Sequence, residues 1–144
     1  MLTLIKREFV VEVPVEQAWS HLARVTAWPS WARHIRTIEV EPAGELRLGS
    51  KGRIHLRNGI RSEFRVVEFN ACSNWKWVGP FWWLTVRYDH RFETDGPGRT
   101  RLTWIVGAEG FGVSVVGRLF AKVYSSSMER AIPYLIAEMT KPPA

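Results

Sequence analysis

The chain has a single cysteine, Cys72, so no internal disulfide can form and nothing in it argues for an oxidising compartment. It also lacks any run near the ~18 consecutive apolar residues that a membrane-spanning helix requires, although 46% of its 144 residues are hydrophobic. The opening Met1-Leu-Thr-Leu-Ile-Lys-Arg-Glu has no apolar stretch of secretory length, which sets the expectation of a cytoplasmic protein. Ligand spacing for a metal is missing. His21, His34, His55 and His90 form no HxxxH pair, and Cys72 has no partner cysteine, so neither a metal nor any other cofactor is expected. No Gly-x-Ser-x-Gly nucleophile elbow occurs. Gly107-Ala-Glu-Gly-Phe-Gly resembles a phosphate loop only in its glycines, because the Lys-Ser/Thr that completes such a loop is absent.

Tryptophan and positive charge are what the chain has in excess. Eight tryptophans bring eight indole N–H groups, each needing an acceptor once buried. The net charge of +6 raises nucleic acid or an anionic membrane as partners. However, 14 acidic residues are interleaved with the 20 basic ones. A mixed, solvated surface accounts for that pattern, which weighs against nucleic acid and leaves transient membrane contact open. The length suits a single domain over residues 1–144, as a monomer or homodimer.

Residue periodicity divides the chain. Phe9, Val11 and Val13 alternate with Glu8, Val10 and Glu12, the period of a strand. Pro14 ends it, and Val15, Ala18, Trp19 and Leu22 then fall at helical spacing. A second short helix is expected around Trp28-Pro-Ser-Trp-Ala-Arg-His. From Ile35 to Glu109, turn signals separate β-rich runs: Pro42-Ala-Gly-Glu, Leu48-Gly-Ser, Asn58-Gly59, Asn70-Ala-Cys-Ser-Asn, Gly79-Pro80 and Asp95-Gly-Pro-Gly. They imply six antiparallel strands in a meander, plus the N-terminal strand. From Gly112 the period changes. Val113, Val116, Phe120, Val123, Tyr124, Ser127, Ala131 and Leu135 trace a helix of more than twenty residues, bent or interrupted at Pro133 and stopped by Lys141-Pro-Pro.

Strand alternation sorts the faces. In a strand over Trp82–Glu93, Trp82, Leu84, Val86, Tyr88, His90 and Phe92 share one face, opposite Trp83, Thr85, Arg87, Asp89, Arg91 and Glu93. Leu102, Trp104 and Val106 follow on the inner face, as do Phe64 and Val66, and Trp75 and Trp77 are placed there too. So apolar a face has to be covered, and the C-terminal helix is the element long enough to do it.

This order of elements resembles the START-like helix-grip superfamily, also called SRPBCC, over nearly the whole chain. The most recognisable segments are Val13-Pro-Val-Glu-Gln-Ala-Trp-Ser-His-Leu with Trp28-Pro-Ser-Trp, and Arg61-Ser-Glu-Phe-Arg-Val-Val-Glu-Phe-Asn. The resemblance implies an α+β fold in which a curved seven-stranded antiparallel sheet wraps a long C-terminal helix, with two short helices after the first strand. It also implies an internal cavity for an apolar small molecule such as a lipid, polyketide, quinone or other aromatic. Such a cavity would hold ~300–1,000 Å³. The alternatives are polyketide cyclase or aromatase-like catalysis without metal, and an interaction module using a basic outer sheet face. Fold signatures carry the resemblance, and none of them is catalytic.

Twelve residues are candidates for lining that cavity: Trp28, Trp31, Phe64, Trp75, Trp77, Trp82, Tyr88, His90, Trp104, Phe111, Phe120 and Tyr124. His90, Tyr88 and Tyr124 are the candidates for proton transfer or hydrogen bonding, each also explicable as an ordinary core residue. Gly107, Gly110 and Gly112 around Phe111 suggest a gate at the cavity mouth. The outer strand faces gather Lys51, Arg53, Arg57, Arg61, Arg65, Arg87, Arg91, Arg99 and Arg101 among Glu63, Asp89 and Glu93. Cross-strand pairing or an acidic partner would each explain them.

Overall fold

The computed structural model describes residues 2–140. Strand β1 (Leu2–Val11) leads into helix α1 (Val15–Ala23) and a short 3-10 helix (Val25–Ser30). Six strands follow: β2 (Ile35–Glu41), β3 (Lys51–Leu56), β4 (Arg61–Asn70), β5 (Asn74–Phe81), β6 (Leu84–Thr94) and β7 (Thr100–Glu109). Helix α2 (Val113–Thr140) follows β7. The strands form one sheet in the order β1-β7-β6-β5-β4-β3-β2, so the first strand pairs with the last and the rest are a meander. Every neighbouring pair is antiparallel. This is the helix-grip order that the sequence implies.

The sheet is curved by identifiable devices. The register slips between Thr3 and Ile5, between Ile35 and Thr37, and between Val66 and Glu68, and such bulges bend a strand and raise its twist. The Asn58-Gly59 hairpin closes as expected, with Gly59 at φ 91° and the Asn58 Oδ1 accepting from the Ile60 N–H at 3.0 Å.

Several boundaries differ from the sequence reading. Gly79-Pro80 is no turn but part of β5. There β5 still pairs with β6, whereas its register with β4 runs only as far as Val78 opposite Arg65, so the missing N–H of Pro80 breaks no ladder on that side. The turn is Trp82-Trp83, flanked by the pair Phe81 and Leu84, and the next strand starts at Leu84 rather than Trp82. Gly107 lies within β7 opposite Arg87, leaving Gly110–Gly112 alone as the connection to α2. The 3-10 helix contains Trp28 and ends before Trp31, because the Trp31 and Ala32 N–H groups both close onto the Trp28 carbonyl. Helix α2 continues past Pro133 instead of stopping there, with the ring on its exposed side and one helical hydrogen bond forgone. The proposed stop at Lys141-Pro-Pro lies outside the described residues. Val123 faces solvent, and the buried stripe of α2 is Gly117, Met128, Ala131, Leu135 and Met139.

That stripe lies over the inner sheet face, where Trp75, Trp77, Val86, Phe92, Leu102, Trp104 and Val106 are buried. One end is closed by α1, whose Ala18, Trp19 and Leu22 join the same core. Trp19 meets Phe69, Trp75 and Phe92 edge-on at 4.9–5.4 Å between ring centres, an arrangement favoured by the aromatic quadrupole. Among the described residues no helix is long and apolar enough to cross a membrane.

Candidate functional site

Between β6, β7, the 3-10 helix and the middle of α2 lies a small internal hollow. Six of the expected residues line it: Trp28, Trp31, Tyr88, His90, Trp104 and Tyr124. Periodicity explains the convergence. Tyr88 and His90 are inner positions of β6, Trp104 sits opposite His90 on β7, and Tyr124 lies within α2 where it crosses them. Ala32, His34, Ile35, Asp89, Ile105, Val106, Met128 and Ala131 complete the wall. Met128 and Ala131 follow Tyr124 at helical spacing, a signal present in the sequence; Ala32 and His34 belong to an irregular segment with no period to betray it.

The hollow is much smaller than expected, about 40 Å³ against the anticipated ~300–1,000 Å³. Aromatic rings have closed it. Trp31 stacks near Trp104 at 6.0 Å, Tyr124 packs on Tyr88 at 5.7 Å, and Trp28 lies 5.2 Å from Trp31 and 5.4 Å from Trp77. The remaining space suits no more than a few waters, since one needs on the order of 10–15 Å³. Phe64, Trp75 and Trp77 form a layer behind the wall, with Phe64 stacked on Trp77 at 4.1 Å. Phe120 sits one turn before Tyr124 and turns towards Phe81.

Two expected residues are elsewhere. Trp82 is 65% and Phe111 is 90% exposed, and neither lines the hollow. Trp82 is displaced because it begins a tight turn, at φ 54°, where the alternation of β6 no longer applies. Phe111 projects from the β7–α2 connection, where its carbonyl accepts the Trp83 indole N–H at 2.7 Å. The connection adjoins the β5–β6 turn and not the mouth of the hollow.

The polar groups of the wall are sparse and desolvated. His90 is buried, and its Nδ1 lies 3.4 Å from the Trp75 carbonyl oxygen. With Nδ1–H donating there, Nε2 is left as an acceptor. Burial brings the imidazole pKa down to about 4, against the partial opposition of the Trp75 carbonyl and the Asp89 carboxylate, so the ring is neutral. Burial also raises the Tyr124 hydroxyl to about 12, and raises that of Tyr88, with each tyrosine staying protonated. His34 is lowered by burial and then by Arg130. The Trp28 indole donates to the Leu22 carbonyl at 2.9 Å. By contrast, the indole nitrogens of Trp75 and Trp104 are buried without an acceptor. Trp104 is thus the lining ring with an unsatisfied donor.

A larger depression of about 600 Å³ lies open on the outer sheet face. Its rim mixes Glu39, Glu41 and Glu63 with Lys51, Arg53 and Arg65, a charged lining unsuited to an apolar guest. Much of the basic surface is internally paired: Arg87 with Glu109, Arg91 with Asp89, Arg99 with Glu12, and Arg101 with Asp95. Cross-strand and neighbouring carboxylates thereby account for those arginines.

Comparison with known proteins places these features in context. The model of a family described as polyketide cyclase/dehydrase and lipid transport matches residues 3–137. No curated protein matches the chain. A hypothetical protein from Helicobacter pylori has a similar structure, with a TM-score of 0.77 at 16% identity, covering 93% of this chain and 86% of that one. A major latex-like protein from Panax ginseng gives 0.75 at 11% identity, covering 95% and 97%. A Thermobifida fusca protein gives 0.77 at 12% identity, covering 96% and 93%. At these identities the likeness is one of fold.

Proposed function

We propose, from the premise that the chain belongs to the polyketide cyclase/dehydrase and lipid transport family, that it binds an apolar small molecule bearing a hydrogen-bond acceptor between sheet and long helix. Family and fold together support a hydrophobic ligand-binding role. The acceptor is inferred from one observation, the buried Trp104 N–H that no protein atom satisfies. A buried donor left unmade costs about 1–3 kcal/mol, which a ligand carbonyl or ether oxygen would recover on binding. Donor, neutral imidazole and two protonated phenols, with His34 and the Arg91-paired Asp89 at the same wall, form a small polar set among apolar residues of the kind that orients a guest in such sites.

Binding on this reading requires the rings to part. The 3-10 helix with Trp28, together with Trp31 just after it, is the stretch best placed to move, because it belongs to no ladder. A clasp holds it to α2: the Ser30 hydroxyl donates to Glu138 at 2.8 Å, beside His21 at 2.9 Å from the same carboxylate. A matched pair of probes tests the acceptor. Anthraquinone and anthracene share a shape, but only the quinone accepts hydrogen bonds. Wild type should prefer the quinone by about fivefold to tenfold, for one hydrogen bond of about 1 kcal/mol, and Trp104→Phe should lose the preference. Equal binding of the two by wild type contradicts the proposal.

The lone pair on His90 Nε2 favours a second reading, cyclase-like chemistry in which the imidazole takes a proton from a bound poly-β-ketone chain. Comparing the products formed from a poly-β-ketone mimic by wild type and His90→Ala separates the readings. Identical products at identical rates leave binding alone.

A further inference from the structure

Away from the hollow, one face of the molecule exposes apolar side chains that packing does not explain. Trp82 and Trp83 at the β5–β6 turn adjoin Phe111, and Val115, Leu119 and Val123 continue from it along three turns of α2. All are more than half exposed. Scattered apolar residues on a surface need no explanation, but a contiguous aromatic and aliphatic strip marks an interaction surface.

Trp82 sharpens the point. Its φ of 54° lies in the left-handed region, where a bulky side chain is disfavoured and glycine or asparagine fits. The backbone therefore gives no reason for tryptophan at this position, where the ring stacks on Phe81 and Trp83 alone and stays largely exposed, and strained residues of this kind gather at functional sites.

Charge identifies the partner. Arg118 and Lys122 are the only charged residues from Gly110 to Met128. Both lie beside the strip and line a groove of about 410 Å³ between α2 and β1, whose remaining charged residues are Lys6 and Arg7. No carboxylate lines that groove; Lys6 and Arg7 have their own partners in Glu8 and Glu129, and neither Arg118 nor Lys122 is in an ion pair among the described residues. Exposed tryptophans, an aliphatic helix stripe and adjacent free cations are the composition that seats a protein in the headgroup layer of an anionic bilayer.

We infer that this face docks on anionic phospholipid membranes, with Trp82, Trp83 and Phe111 entering the interface and Arg118 and Lys122 meeting lipid phosphates. A file of rings leads inward from it: Trp82 on Phe81 at 5.1 Å, Phe81 on Phe120 at 4.8 Å, Phe120 on Tyr124 at 5.4 Å, and Tyr124 at the wall of the hollow. An apolar guest leaving the bilayer would meet apolar surface along that file. Docking itself rests on the outer face alone and stands whether or not the hollow takes a ligand.

Flotation with vesicles of phosphatidylcholine, with and without phosphatidylserine, tests the inference. Wild type should float with the anionic vesicles, and added salt should release it. Arg118→Glu with Lys122→Glu should weaken binding at least about tenfold, since each cation near a charged surface contributes on the order of a factor of five. Trp82→Asn should weaken binding while leaving the melting temperature equal or higher, a combination that misfolding cannot produce. Absence of flotation overturns the inference, as does binding indifferent to both variants. Sedimentation showing a dimer that Leu119→Asp converts to monomer would assign the strip to a second copy and overturn it too. None of these results bears on the probe comparison above, so the two readings fail separately.

Discussion

Acidification should expose the cost of burying His90. The imidazole is neutral in the fold, with its pKa brought from 6.5 to about 4, chiefly by burial. In the unfolded chain it titrates normally. Between these values the unfolded state binds more protons than the folded one, so stability rises with pH across the window and falls on acidification. The contribution is fully present above pH 6.5 and is lost as pH drops towards 4. With 1.36 kcal/mol for each pH unit between the two pKa values, the loss is about 2 kcal/mol by pH 5 and about 3 kcal/mol by pH 4. The assay is urea denaturation at a series of pH values, followed by tryptophan fluorescence, on wild type and His90→Gln. Glutamine can still donate to the Trp75 carbonyl but does not titrate. Carboxylates contribute the same slope to both proteins, so the difference isolates the imidazole. Parallel curves through the window would refute a buried neutral histidine.

The backbone and the helix give further tests. A Cβ at Gly79 would collide with the Glu63 carbonyl oxygen, a backbone atom that cannot step aside; Gly79→Ala should therefore lower stability by about 1–3 kcal/mol by denaturant melt, and an unchanged midpoint contradicts the close approach of β4 and β5. Leu135 is wholly buried on α2, and Leu135→Ala should cost about 2–5 kcal/mol in the same assay; a loss below 1 kcal/mol would show that α2 is not packed as described. Pro133 removes one hydrogen bond of α2 at an exposed position, so Pro133→Ala should raise the thermal midpoint, in the direction of the ~3 kcal/mol propensity gap, and a fall would contradict the helical placement of residue 133.

How much of this was legible in the sequence depends on periodicity. The inner face of β6 from Leu84 to Phe92 and that of β7 from Leu102 to Val106 could be read residue by residue, because each strand has one face against α2. The six residues that converge on the hollow come from those strands, from α2, and from the Trp28-Pro-Ser-Trp segment. Alternation failed at Trp82, where backbone conformation changed while the apolar pattern continued. Helical spacing failed at Val123, where apolar residues fill two sides of α2 and only one is covered by the sheet. The volume of the hollow was beyond reach, because it is set by the rotamers of Trp31 and Tyr124 rather than by their positions.

Ligand binding requires the closed hollow to open for a guest. Native mass spectrometry of freshly purified protein, followed by extraction and identification of whatever is bound, puts that to the test most directly. The expected result is a non-covalent complex with a small apolar molecule carrying a carbonyl or ether oxygen, whose occupancy falls in Trp104→Phe. Protein that is empty as purified, and that stays empty when titrated with anthraquinone, would contradict it.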